Sequence, residues 1–146
     1  MGWQLLVDAP NRVSRAVLGG IPDGDPLTRF RLDAAREYVA DGTPIDDRLT
    51  RAYIDMASGI RGNDLSALIA LVEGMRGGAQ PDPATPPRVP VLFATGSEDR
   101  ILEASKRLAD ATPGSAFFTI PGRDHFNAPT SREFRERAIA FLDGDG

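Results

Sequence analysis

The sequence predicts an α/β fold: a partial parallel sheet of about three strands with flanking helices and a helical insertion. Three observations predict it. Short apolar runs alternate with helical patterns in residues 1–20 and again in residues 88–146. Each run stops at a glycine or at Pro-Gly, as a buried strand does before it turns. Between them, residues 21–87 show only helical periodicity.

In chain order, residues 1–10 read as the end of a helix, with Leu5, Leu6 and Ala9 on one apolar side and Pro10-Asn11 as its stop. A chain that opens inside a helix leaves the first turn uncapped, which hints at a missing upstream part. Val13–Leu18 reads as a short strand closed by Gly19-Gly20. Pro26 suits the first turn of a helix capped by Asp25, with Leu27, Phe30, Ala34 and Tyr38 inward and Gly42 as the stop. A second helix is expected over Asp46–Met56, striped by Leu49, Tyr53 and Met56. A third follows Asn63-Asp64, and its stripe of Leu65, Leu68, Ile69, Val72 and Met75 suits packing at the mouth of the sheet. Residues 81–90 hold enough proline for a stiff connector. Val91–Thr95 is the next strand, followed by a helix near Glu103–Ala111, a strand at Ala116–Ile120 and a last helix over Ser131–Leu142. The Asp-Gly-Asp-Gly tail is expected to fray.

Composition narrows the chemistry. A formal net charge of −4 with no basic run offers nothing to nucleic acid or to an anionic membrane. No apolar run approaches the about 20 residues that span a bilayer. Asp8 cuts short the N-terminal apolar run, and Leu6 stands where a myristoylation signal needs Ser or Thr, so the cytoplasm is the default location. The chain has no cysteine and one histidine, which excludes disulfides and thiolate nucleophiles and leaves little for a transition metal. No metal or cofactor site is expected. Asp23-Gly24-Asp25 lacks the rest of a calcium loop, and Gly19-Gly20 is a turn and not a phosphate loop.

The sharpest local pattern is a strand, Gly96-Ser97-Glu98-Asp99, a helix, a strand, then Pro121-Gly122-Arg123-Asp124-His125. A right-handed crossover sets the two strands side by side, so Asp99 and His125 emerge at one sheet edge. A carboxylate beside an imidazole fixes its tautomer and stabilises the imidazolium. Asp99 also suits a turn or cap at the next helix, and Asp124 suits a solvent-facing role. Phe126, next to the histidine, is a candidate substrate contact.

Val89–Asp99 resembles the acid-bearing strand of α/β-hydrolases, in which Pro-Val-Leu leads to Gly-x-x-Asp. Ile120–His125 is similar to that family's histidine loop, and Arg12–Gly20 resembles the strand after the nucleophile's helix. The resemblance covers nearly all of this chain but about the second half of the family's usual domain. It implies that residues 1–20 are the end of the post-nucleophile helix and the strand after it, that residues 21–87 are a helical cap, and that residues 88–146 carry the acid and histidine loops. Asp99 would be the triad acid and His125 the base, with Asp23 or Asp25 the acid if it follows the previous strand. The family's Gly-x-Ser-x-Gly is absent, and none of the seven serines stands in that context. The chain is then a fragment, a misread start or a true half-protein. Two functions follow. One is the C-terminal portion of a hydrolase for ester-type or related bonds, inactive without an N-terminal half and acting on a small molecule once completed. The other is a non-catalytic binding module or decayed pseudoenzyme. The first strand would also lack its outer neighbour, so self-association or docking through that edge is expected.

Overall fold

Strands form where apolar side chains run between turn residues, and each of the three is short. In the computed structural model, which describes residues 2–144, these are β1 (Ala16–Gly19), β2 (Val91–Gly96) and β3 (Ala116–Ile120). They make one parallel sheet in the order β1-β2-β3. Ala16 pairs with Val91 and Gly19 with Ala94, while Leu92 pairs with Ala116 and Gly96 with Ile120. β2 is buried along its whole length, as a central parallel strand covered on both faces must be.

The described chain divides into two compact units. One is the chain up to Gly24 together with the chain from Ala79 onward, and the other is Asp25–Gly78. In the first unit, α1 (Gly2–Asp8) and α5 (Leu102–Ala111) cover one face of the sheet, where Trp3, Leu6, Val91, Phe93 and Leu108 form the core. Gly19 points the other way, and there α6 (Arg132–Asp143) lays Phe134 over it. Of the tail expected to fray, Asp143 ends α6 and Gly144 caps it; the last two residues lie outside the described residues, as does Met1.

Two sequence expectations shift here. Leu5 is exposed, because α1 turns Trp3, Leu6 and Val7 inward at i, i+3 and i+4. The first strand starts at Ala16 and not Val13, since Pro10–Arg12 form a 3-10 turn that delays the extended backbone.

The second unit has its own core of Phe30, Ala35, Ile45, Ile54 and Ile69. Its helices are α2 (Leu32–Asp41), α3 (Arg48–Ser58) and α4 (Leu65–Met75). The helix expected from Pro26 to Tyr38 is broken. Pro26–Arg29 is a 3-10 turn, Phe30 is extended, and α2 begins after it. Tertiary bonds hold that break open: Arg31 N–H donates to Thr50 Oγ1 at 2.9 Å, and the Arg76 guanidinium donates to the carbonyls of Leu27 and Phe30. Asp47 accepts from the Thr50 hydroxyl and, capping α3, from Thr50 N–H, and these two bonds lower its carboxyl pKa. Met56 is exposed, whereas Leu65, Ile69 and Val72 pack into this unit's own core.

Thr95 in β2 is buried, yet its hydroxyl has no hydrogen-bond partner among the described residues. Desolvating an unpaired hydroxyl costs about 1–3 kcal/mol. Thr95→Val keeps the shape and the strand preference, and is expected to stabilise the chain by about 1 kcal/mol. A urea melt followed by the emission of Trp3, the one tryptophan, measures it; an unchanged or lower midpoint would show that the hydroxyl is satisfied in solution.

Candidate functional site

Because β2 and β3 are adjacent and parallel, with Gly96 opposite Ile120, the loops that follow them leave the sheet at the same edge. The first loop turns at once: Asp99 N–H donates to the Gly96 carbonyl and Leu102 N–H to the Asp99 carbonyl. The turn points the Asp99 carboxylate inward, where its side chain is 3% exposed. One oxygen, Oδ1, accepts from Ile101 N–H at 3.1 Å. The other, Oδ2, lies 3.0 Å from His125 Nδ1. A carboxylate only accepts, so Nδ1 carries the proton and donates it. Asp99 therefore bonds the backbone just before the next helix and meets the histidine.

The two loops are stitched together. Glu98 N–H donates to the Arg123 carbonyl at 2.9 Å, and Gly122 N–H donates to Ser97 Oγ at 2.8 Å. Gly96 permits the approach, for a Cβ there would lie 2.0 Å from the Arg123 carbonyl oxygen. Gly20 has a different function. Its φ of +56° favours glycine, and a Cβ there would sit 3.3 Å from the imidazole ring. The Gly19-Gly20 turn is thus also the surface against which His125 rests. Phe126 stands edge-on to the imidazole, with ring centres 5.6 Å apart.

The sequence gives Gly20 only as a turn residue and Asp124 only as solvent-facing, and assigns Ser97 and Asn127 no role. In the structure Asp124 Oδ1 also accepts from the N–H groups of both Phe126 and Asn127. The Gly-Gly pair was the available signal for Gly20; Ser97 gave none, since its partner is set by folding. The alternative acids have other partners. Asp23 makes a two-pronged bond with Arg107, each contact 3.0 Å, and Asp25 Oδ2 accepts from Gly77 N–H.

The Asp99–His125 pair lines a cleft of about 190 Å³, together with Gly19, Gly20, Ala94, Ile120, Ala128, Pro129 and Phe134. That is below the ~300–1,000 Å³ of an ordinary ligand pocket, so the cleft admits a small group and not a whole molecule of drug size. No serine lines it. Ser105 donates to the Ile21 carbonyl, Ser115 to that of Ala109, and Ser131 caps α6, so these hydroxyls hold backbone. Among the described residues, no three His, Cys, Asp or Glu side chains gather in a way that could hold a metal ion, and no helix is long and apolar enough to cross a membrane.

The fold recurs in solved structures. An enol-lactonase from Burkholderia xenovorans LB400 superposes with a TM-score of 0.66 at 17% identity, over 95% of this chain and 60% of that one. A thermophilic esterase from Thermogutta terrifontis gives 0.63 at 19%, over 94% and 58%. NosK from Streptomyces actuosus gives 0.61 at 20%, over 96% and 61%. Over nearly its whole length the chain has the α/β-hydrolase fold, in the part that corresponds to the C-terminal portion of these structures. It spans about 60% of the length of these structures. The sequence matches no family model and no curated protein.

Two measurements follow from the geometry. Since His125 is the only histidine, its ring nitrogens can be read by NMR without assignment ambiguity. The neutral ring is expected as the Nδ1–H tautomer, and Asp99→Asn is expected to shift it toward Nε2–H; an Nε2–H ring in the parent chain would break the pairing. Gly96→Ala forces the strand end and the histidine loop apart and should cost about 2–3 kcal/mol in a urea melt. A cost near zero would mean that the two loops are not in contact.

Proposed function

We propose that this chain carries the acid and histidine part of a Ser-His-Asp triad for hydrolysis of an ester-type or related bond. His125 is the general base and Asp99 the group that orients it and stabilises the imidazolium. The observation that carries this reading is the 3.0 Å approach of His125 Nδ1 to the buried Asp99 carboxylate at the ends of adjacent parallel strands. With Nδ1–H held by Asp99, Nε2 takes the proton of a serine hydroxyl as its oxygen attacks the acyl carbon. The imidazolium then returns that proton to the leaving alcohol, and water attacks the acyl-enzyme by the same route.

The serine and the oxyanion donors come from outside these 146 residues, since neither Gly-x-Ser-x-Gly nor a serine in the cleft is present. Two of the similar structures are named as an enol-lactonase and an esterase, which supports an acyl–oxygen bond as the target. Asp25–Gly78 is proposed as the cap that gives the substrate its apolar surroundings. Among the described residues, β1 pairs on one side only, with β2. The nucleophile-bearing half is proposed to add to its other edge, and without that half the edge takes a second copy of the chain. The second reading, a binding module or decayed pseudoenzyme, is favoured by the same lack of a serine in the cleft.

The test is complementation. The pure chain alone is expected to give no saturable turnover of p-nitrophenyl esters. Co-expression with an N-terminal half bearing Gly-x-Ser-x-Gly is expected to give turnover that falls by roughly 10⁴-fold in Asp99→Asn and roughly 10⁶-fold in His125→Ala. Stable assembly without turnover would leave the binding module. Sedimentation from low to high micromolar concentration is expected to show self-association of the free chain that the added half suppresses; a strict monomer throughout would show that the β1 edge is covered.

A further inference from the structure

The segment that presents His125 is a closed ring of hydrogen bonds. Asp124 Oδ1 accepts from the N–H groups of Phe126 and Asn127, each at 2.9 Å. Asn127 Oδ1 accepts in return from Asp124 N–H, also at 2.9 Å. The Asp124 carbonyl accepts from Ala128 N–H at 3.1 Å. This is the reciprocal pattern of a helix capping box, built on a single turn that runs into the 3-10 turn Ala128–Thr130, with His125 at the first position inside.

The ring lies between two anchors. Upstream, Gly122 and Arg123 are tied to Ser97 and Glu98 of the acid loop. Downstream, the Asn127 carbonyl accepts from the Thr130 hydroxyl and N–H. Those anchors fix where the loop begins and ends. Between those anchors, the Asp124 and Asn127 side chains bond the backbone at residues 124–127, and so bear on the direction of the His125 Cα–Cβ bond. On one side the ring lies against Gly20, where an added Cβ would come within 3.3 Å of it.

We infer that Asp124 and Asn127 are positioning residues: together they clasp the turn that aims His125 at Asp99. The inference rests on the proposed function in so far as His125 is the base, but its test reads geometry and not turnover. Ring nitrogens of His125 are followed by NMR in the ¹⁵N-labelled full chain, with Trp3 emission and urea midpoint as the measure of folding. In Asp124→Ala and Asn127→Ala the Nδ1–H tautomer is expected to be lost in favour of Nε2–H while Trp3 stays buried. In Asp124→Asn it is expected to be retained, since the amide oxygen can accept from the same two N–H groups. An unchanged tautomer in both alanine variants would overturn the inference. So would loss of Trp3 burial in both, for the clasp would then be holding the fold and not the ring. A failure of complementation would sink the hydrolase reading and leave the tautomer result standing.

Discussion

A carboxylate buried as deeply as Asp99 has to be bonded at both oxygens, or the chain loses more by desolvating it than the site can return. Its two partners are a backbone amide at the start of the next helix and an imidazole from the next loop. Satisfying that one group therefore fixes three things together: the turn after β2, the entry into α5 and the position of the histidine. The surrounding features serve the same end. Gly96 lets the histidine loop come close, Ser97 and Glu98 hold it, and Gly20 leaves room for the ring.

The hydrolysis proposed for this arrangement needs more than the pair itself. A paired imidazole can move a proton, but it needs a hydroxyl to take the proton from and donors to receive the charge that builds on the acyl oxygen. The cleft beside it is small and lined mostly by Gly, Ala, Ile, Pro and Phe. Such walls leave the polarity of the site to the Asp99–His125 pair and to whatever enters the cleft.

Much of this was legible in the sequence. β2 was visible because a strand buried on both faces is a continuous apolar run, and the Asp99–His125 approach followed from two motifs and the handedness of a crossover. What stayed hidden depends on contacts far along the chain. Phe30 interrupts a helical pattern because Thr50 and Arg76 bond the backbone around it. Trp3 displaces Leu5 from the core because α5 and β2 lie on that side of α1. Gly20 reads as a turn residue until the imidazole is seen against it. Asp124 and Asn127 stand three apart, but they precede a short 3-10 turn, Ala128–Thr130, and not an apolar helical run, so the spacing carries no message until the turn itself is folded.

The position of Asp25–Gly78 in the chain bears on how the sheet can assemble. β1 pairs with a strand that is synthesised only after this entire segment. Closing so long a loop as random coil is slow, and parallel pairing across it is slower still. A segment with a core of its own can collapse first, through contacts between near neighbours in sequence, and so shorten the effective tether between the two strands. The order of events during synthesis is then helices first, sheet last, with β1 waiting for β2 to leave the ribosome.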